Sequence, residues 1–369
     1  FDAAAMRGLS PFVGRATELT LLNDLVARLD DGHGRVVCLV GEPGIGKSRL
    51  VRELRQALPP TVRAARGRSS SSDRAAPWHL VVDLLRNLLA ITDDQSPEKI
   101  AASVDELVAG SPALFDGLGD HLRWLLGIGA DTLEVVAPME RRAGNIEALT
   151  AVVHAVATVS PTVLVFEDLH WADEASLAAT RALVNAVSDA PVLLLATYRP
   201  DAPPDLGDRP WVTILTLEAL GGDAATELAA SAVRRPLSPE ARNLIVGHCG
   251  GNPLFIEELT VSLLESGVLV EGDELVDVTR GTDAADLPAS VHDVVLTRID
   301  QLNAEARNAL QLAAVIGREF THRILDRIAS TTDDLDGHIA ELEALELIRQ
   351  RAWFPELAYL FKHAIFHGV

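Results

Sequence analysis

Apolar residues fall into two patterns along this chain. Apolar runs at residues 36–40 and 163–166, and a largely apolar stretch over 192–199 that ends in Arg199, read as strands buried on both faces, as in parallel sheets. Residues 62–65 and 211–217 fit two more strands. Elsewhere apolar residues recur every three or four positions, the spacing of one helix face. Leu19, Leu22, Val26 and Leu29 form one such row, and Ile146, Leu149, Val152, Val153 and Val156 form another within a helix over 143–156. Residues 78–89 and 100–126 have the same spacing, interrupted at Pro97, Gly110, Pro112 and Gly117, and predict a helical insertion. Past residue 218 the pattern gives two or three helices, then helices over 291–302, 305–316, 324–328 and 339–348. Alternation around 352–361 ends the series as a short hairpin.

One strand leads into a loop with chemistry in it. After residues 36–40 come Gly41-Glu42-Pro43-Gly44-Ile45-Gly46-Lys47-Ser48 and a helical stretch over 49–54, which is strand, glycine-rich loop and helix in P-loop order. Gly41, Gly44 and Gly46 let successive N–H groups turn inward on phosphate oxygens, and the helix adds its positive end. Lys47 is placed to reach the β- and γ-phosphates, and Ser48 to hold Mg²⁺. Lys47 is one of three lysines in a chain with 32 Lys and Arg residues, so its presence here is not incidental composition.

The apolar run at 163–166 ends in Glu167 and Asp168. A parallel strand beside the P-loop strand brings such acids to the γ-phosphate, where Glu167 is expected to hold Mg²⁺ and Asp168 to orient or deprotonate the attacking water. An Asp is commoner at the first position, and the longer Glu167 leaves the division of roles open. The basic, serine-rich run at 66–74 reads as a solvated loop, and Arg141 and Arg142 as helix-end arginines.

Composition narrows the class. With 369 residues and 48% hydrophobic content, the chain has material for two or three domains with cores of their own. A net charge of -21 disfavours unaided binding to nucleic acid or to an anionic membrane. No apolar run approaches a bilayer's thickness and no basic-then-apolar leader opens the sequence, so a cytoplasmic protein is expected. Cys38 and Cys249 form neither a C-x-x-C pair nor a disulfide framework. His363 and His367 have the four-residue spacing of metal ligands but lack the acid that a zinc protease helix needs. Phe1 at the start and an apolar helix running to the last residue suggest a fragment of a longer protein.

Several motifs together carry a family. Phe12-Val13-Gly14-Arg15-Ala16-Thr17-Glu18 lies ahead of the P-loop, and Leu169-His170-Trp171-Ala172-Asp173 follows the two acids. Gly250-Gly251-Asn252-Pro253 opens a later helix, and Phe361-Lys362-His363 lies near the end. In this combination the chain resembles the STAND branch of AAA+-like P-loop ATPases. Within it, the chain is similar to the bacterial subgroup with the LHWAD signature, which includes large LuxR-type regulators and ATPase regions attached to class III nucleotide cyclases. The resemblance implies an α/β P-loop NTPase three-layer sandwich with a parallel sheet over 1–218, with its helical insertion at about 78–138. A helical domain over 219–288 and a winged-helix domain over 289–369 are implied to follow. It implies that Val13 and Arg15 help form the adenine pocket, that Pro253 packs on the adenine, that Arg199 senses the γ-phosphate and that His363 touches the β-phosphate of bound ADP. The implied activity is a slow, Mg²⁺-dependent ATPase switch, resting on ATP or ADP, that regulates an effector in the same longer chain and engages a protein partner or oligomer on activation. Residues 286–369 carry 13 acids against 8 Lys and Arg, so the winged helix is expected to pack against protein rather than DNA. The alternative reading is a scaffold or DNA-binding regulator in which nucleotide is structural only.

Overall fold

The computed structural model describes residues 10–69, 77–92, 94–129, 131–272, 274–279, 287–317, 319–329, 334–345, 347–352 and 357–361. It divides into two compact units. One runs from Arg15 to Glu218, and the other comprises the described residues of Ala219–Val369 with those of Phe1–Gly14.

The first unit is built on five parallel strands: β1 (Arg35–Val40), β2 (Arg63–Arg68), β3 (Thr162–Glu167), β4 (Val192–Tyr198) and β5 (Val212–Thr216). Their order across the sheet is β2-β3-β4-β1-β5. The acid-bearing strand β3 is therefore not beside the P-loop strand β1, as sequence reasoning placed it, because β4 lies between them. Hydrophobicity separates central strands from an edge, though it does not rank β3 against β4. Every residue of β4 and of β3 is buried, which suits strands with a neighbour on each side, whereas β5 has Ile214 65% exposed and takes an edge. β2 also runs three residues past its predicted end, pairing Arg66, Gly67 and Arg68 with Val165, Phe166 and Glu167. Gly67 is small for a reason: a Cβ there would lie 2.6 Å from the Leu80 carbonyl oxygen on the helix that crosses it.

Eight helices belong to this unit among the described residues: α1 (Ala16–Ala27), α2 (Lys47–Ala57), α3 (His79–Leu88), α4 (Pro97–Gly110), α5 (Gly119–Leu125), α6 (Asp131–Glu134), α7 (Pro138–Val159) and α8 (Glu174–Ala186). The stretch predicted helical over 100–126 is two helices, α4 and α5. Helix α7 is longer than its predicted core, because Pro138 at its first turn starts it early.

The second unit begins with α9 (Gly222–Val233), α10 (Pro239–Cys249) and α11 (Pro253–Glu265), then an antiparallel hairpin of β6 (Leu269–Glu271) and β7 (Val276–Val278) that the hydrophobic pattern did not reveal. It continues with α12 (Val291–Asp300), α13 (Ala304–Ile316), β8 (Glu319–Thr321), α14 (His322–Ile328), α15 (Leu335–Ala344), β9 (Ile348–Ala352) and β10 (Ala358–Phe361). The last three strands form an antiparallel sheet in the order β8-β10-β9, so helix, strand, two helices and hairpin follow one another as in a winged helix. Ile348, predicted to end a helix, starts β9 instead. A buried ion pair joins α11 to α12: Arg298 Nη1 donates to Glu258 Oε2 at 2.7 Å, and each side chain is 3% exposed. The fold is thus the expected class, α/β with a parallel sheet, then helices and small antiparallel sheets. Among the described residues, no helix is long and apolar enough to cross a membrane.

Candidate functional site

Residues 41–46 join β1 to α2 through two left-handed glycines, Gly44 at φ +79° and Gly46 at φ +104°, conformations that a Cβ disfavours. Gly41 is required for a different reason. A Cβ there would stand 2.7 Å from Cγ2 of Ile45, whose side chain is buried. The Ile45 N–H donates to Glu42 O at 3.2 Å, and Leu50 N–H to Gly46 O at 2.9 Å starts the helical ladder. Lys47 is 8% exposed, and its ammonium donates to the carbonyls of Gly41 at 2.5 Å and Glu42 at 3.0 Å. Burial pushes the Lys47 pKa down and Arg199 adds to that, while Asp168, Glu42 and Asp201 oppose it. Ser48 lies exposed on the first turn of α2.

At the corresponding end of β3, Glu167 is 8% exposed. Burial pushes its carboxyl above the ordinary carboxylate range, opposed by Arg66 and Arg68 on β2. Its main chain is held just past the end of β2, since Ser69 N–H donates to Glu167 O at 3.1 Å. Asp168 has φ +59°, unusual for a residue with a side chain. Its N–H donates to Thr197 Oγ1 on β4 at 3.0 Å, and its carboxylate stands 4.0 Å from Arg68 Nη2. Sequence reasoning missed both Thr197 and Arg68. The signal for Arg68 was the true length of β2: register pairs Arg68 with Glu167, which a strand ending at 65 cannot do.

The LHWAD stretch turns out to be a positioned turn. Leu169 is buried as its anchor, and the His170 and Trp171 rings lie 5.1 Å apart. The Arg199 guanidinium sits over the Trp171 ring at 5.8 Å, within cation–π range. Asp173 caps α8, accepting from the N–H groups of Ala175 and Ser176 at 2.9 and 3.0 Å. Burial lowers the His170 pKa, with Asp168 raising it and Arg199 and Lys47 lowering it further. Among the described residues, no three or more His, Cys, Asp or Glu side chains cluster as a ready-made metal cage.

Arg15, expected near the base, is 6% exposed, and its guanidinium is engaged by main chain: Nη2 donates to Ile45 O at 3.2 Å and to Glu218 O, while Nη1 pairs with Glu18 at 3.1 Å. Val13 and Pro253 belong to the second unit. Val13 packs on the helical cluster that contains Leu220, Ala225 and Ile256, and Pro253 is the first residue of α11, whose N-cap Asn252 accepts from Leu254 and Phe255 N–H. Both the segment before α1 and the turn before α11 meet Leu220: a Cβ on Gly14 would lie 2.8 Å from its Cδ2, and one on Gly251 2.5 Å from its carbonyl oxygen. His363 lies outside the described residues.

Comparison with known proteins finds relatives in sequence and in structure. The chain is 29% identical over 333 residues to an uncharacterized protein of Rhizobium meliloti (strain 1021), an alignment covering 85% of the chain and 30% of that relative's length. Among solved structures it is similar to a Signal Transduction ATPase with Numerous Domains (STAND) protein with a tetratricopeptide repeat sensor from Pyrococcus horikoshii. That likeness has 16% identity and a TM-score of 0.48, and covers 97% of this chain and 42% of that one. It is also similar to Cdc6p of Pyrobaculum aerophilum at 12% identity, 97% and 93% coverage and a TM-score of 0.44. The AAA ATPase domain family matches residues 11–195, half of the 369 residues, and it is to this family that the chain belongs.

Proposed function

We propose that the chain is the nucleotide switch of a larger signalling ATPase of the STAND type, binding ATP or ADP with Mg²⁺ and hydrolysing ATP slowly. The observation that carries this reading is the convergence, at the carboxyl ends of β1, β3 and β4, of a buried lysine, two acids and an arginine around a glycine-rich loop. In this reading the N–H groups of residues 41–48 bind phosphate and Lys47 transfers its contacts from the Gly41 and Glu42 carbonyls to the β- and γ-phosphates. Ser48 and Glu167 supply the hydroxyl and carboxylate oxygens that a hard cation takes. Mg²⁺, when bound, neutralises charge developing on the phosphates. Asp168, fixed through its own N–H by Thr197, orients or deprotonates the attacking water, and Arg199 registers the γ-phosphate. Val13 and Pro253 are assigned to the adenine, and His363 to the β-phosphate of ADP.

As a switch, the site has to favour one conformation with ADP and another with ATP. The attached effector, a transcription regulator or a nucleotide cyclase, and a protein partner or oligomer on activation, complete the proposal. Its test is release and identification of nucleotide from freshly purified protein, with Lys47→Ala alongside. Near-stoichiometric ADP or ATP in the parent and none in the variant is the expected result. If neither carries adenine nucleotide and neither binds added MgATP, the switch reading fails.

A further inference from the structure

We infer that Arg15 is a positioning residue for the phosphate loop and does not contact the base. Resting on the ATPase reading above, this assigns Arg15 a role in phosphate affinity that is blind to the nucleobase.

The guanidinium has few donors to spare. Nη1 is committed to Glu18 and Nη2 is shared between the carbonyl oxygens of Ile45 and Glu218. Nε is buried without a hydrogen-bond partner among the described residues. The residue as a whole is 6% exposed, so its contacts are made inside the unit and not at an open surface.

What it holds determines what it does. Ile45 stands between Gly44 and Gly46, both left-handed, and glycine on either side leaves the intervening peptides free to rotate. The peptide whose carbonyl Arg15 grips is the one that carries the Gly46 N–H. In a planar trans peptide, C=O and N–H point in opposite directions. With Ile45 O turned onto Arg15, the Gly46 N–H faces the other way, into the concave side of the loop, where an anion would accept from it. Arg15 thus fixes the direction of a phosphate donor through the back of the same peptide. Its second acceptor, Glu218 O, is the last carbonyl of this unit, and Arg15 is the unit's first residue. One side chain therefore ties the loop to both ends of the chain segment that forms the ATPase unit.

The test compares MgATP, MgGTP and inorganic tripolyphosphate, which has no base, on the full chain by calorimetry. Arg15→Gln should weaken all three by the same factor, about tenfold to a hundredfold, the equivalent of one charge-assisted hydrogen bond. In steady-state hydrolysis KM should rise by more than kcat falls; a loss of folded protein would instead lower kcat and leave KM unchanged. Glu18→Gln loosens the same guanidinium without emptying a buried site and should give a smaller loss, again equal for the three ligands. It carries the test if Arg15→Gln does not fold. Weakened ATP binding with unchanged tripolyphosphate binding in either variant overturns the inference and returns Arg15 to the base. A parent that binds neither ATP nor tripolyphosphate overturns the ATPase reading itself, a result distinguishable from the first.

Discussion

The ion pair between α11 and α12 sets up a sharp energetic prediction. Replacing Arg298 with Met keeps most of the side-chain volume but removes the cation from a carboxylate that is 3% exposed and 2.7 Å away. Desolvating such a group is expensive, and its partner is what makes burial tolerable, so stripping one member of a buried pair costs about 3–5 kcal/mol. Glu265, 3.7 Å from Arg298 Nη2 and half in solvent, loses little by comparison. The cost should localise to the segment around the pair, and hydrogen exchange of amides in α11 and α12 is the suitable assay, because two units need not unfold together. A loss of 3 kcal/mol corresponds to more than a hundredfold faster exchange through local opening at about 1.4 kcal/mol per decade. The double variant Arg298→Met with Glu258→Leu should recover most of the loss, since an apolar pair of similar size is often as stable as the ionic one. Protection of Arg298→Met within tenfold of the parent, or a double variant as unprotected as the single, would refute this account of how the two helices are joined.

Three further outcomes follow from the site. Burial raises the folded-state pKa of Glu167, so the folded protein binds more protons than the unfolded chain between the ordinary carboxylate range and that raised value. The destabilisation is absent below this window and complete above it. In the ATPase reading Glu167→Gln should abolish hydrolysis, and by removing the buried charge it should raise the melting temperature of nucleotide-free protein at about pH 8, by a margin that shrinks on acidification; a lower melting temperature at pH 8 contradicts this. Gly46→Ala meets no atom within 4 Å, so its cost is backbone strain alone, about 1–3 kcal/mol, and nucleotide affinity should drop even where the protein remains folded by circular dichroism. Trp171→Leu removes the ring beneath Arg199 and should reduce the preference for ATP over ADP by a factor of about 2 to 5, with Trp171→Phe restoring most of it; equal ratios in all three proteins would dissociate the ring from the arginine.

Where the sequence was legible, local chemistry and tertiary structure agreed. The phosphate loop was readable because its glycines and lysine answer to local geometry. The strands β1, β3 and β4 were readable because burial on both faces demands unbroken apolar runs. Strand order was not, because β3 and β4 are equally apolar and nothing local says which lies next to β1. The end of β2 was hidden for a related reason: its arginines look solvent-bound in sequence, yet Arg66 and Arg68 alternate about a buried Gly67 and face the acids at the end of β3. Short strands such as β6, β7 and β8 hold three residues each, too few for an alternation to show. Arg15 was recognised as special from its motif, but its acceptors are main-chain carbonyls 30 and 203 residues away, which no side-chain pattern records.

The left-handed backbone at Asp168 bears on how such a protein could lose its chemistry over generations. At φ +59° only glycine, asparagine and aspartate are cheap, and most other side chains cost about 1–2 kcal/mol at that position. Stability thus filters the mutations that reach this position, and if Asp168 acts as proposed, the route of least resistance away from that acid is a single step to asparagine. That step keeps the turn, the bond to Thr197 and the shape of the site while removing the charge. A lineage that gave up hydrolysis and kept nucleotide binding would be expected to carry asparagine or glycine here, and that residue would serve as the record of the change.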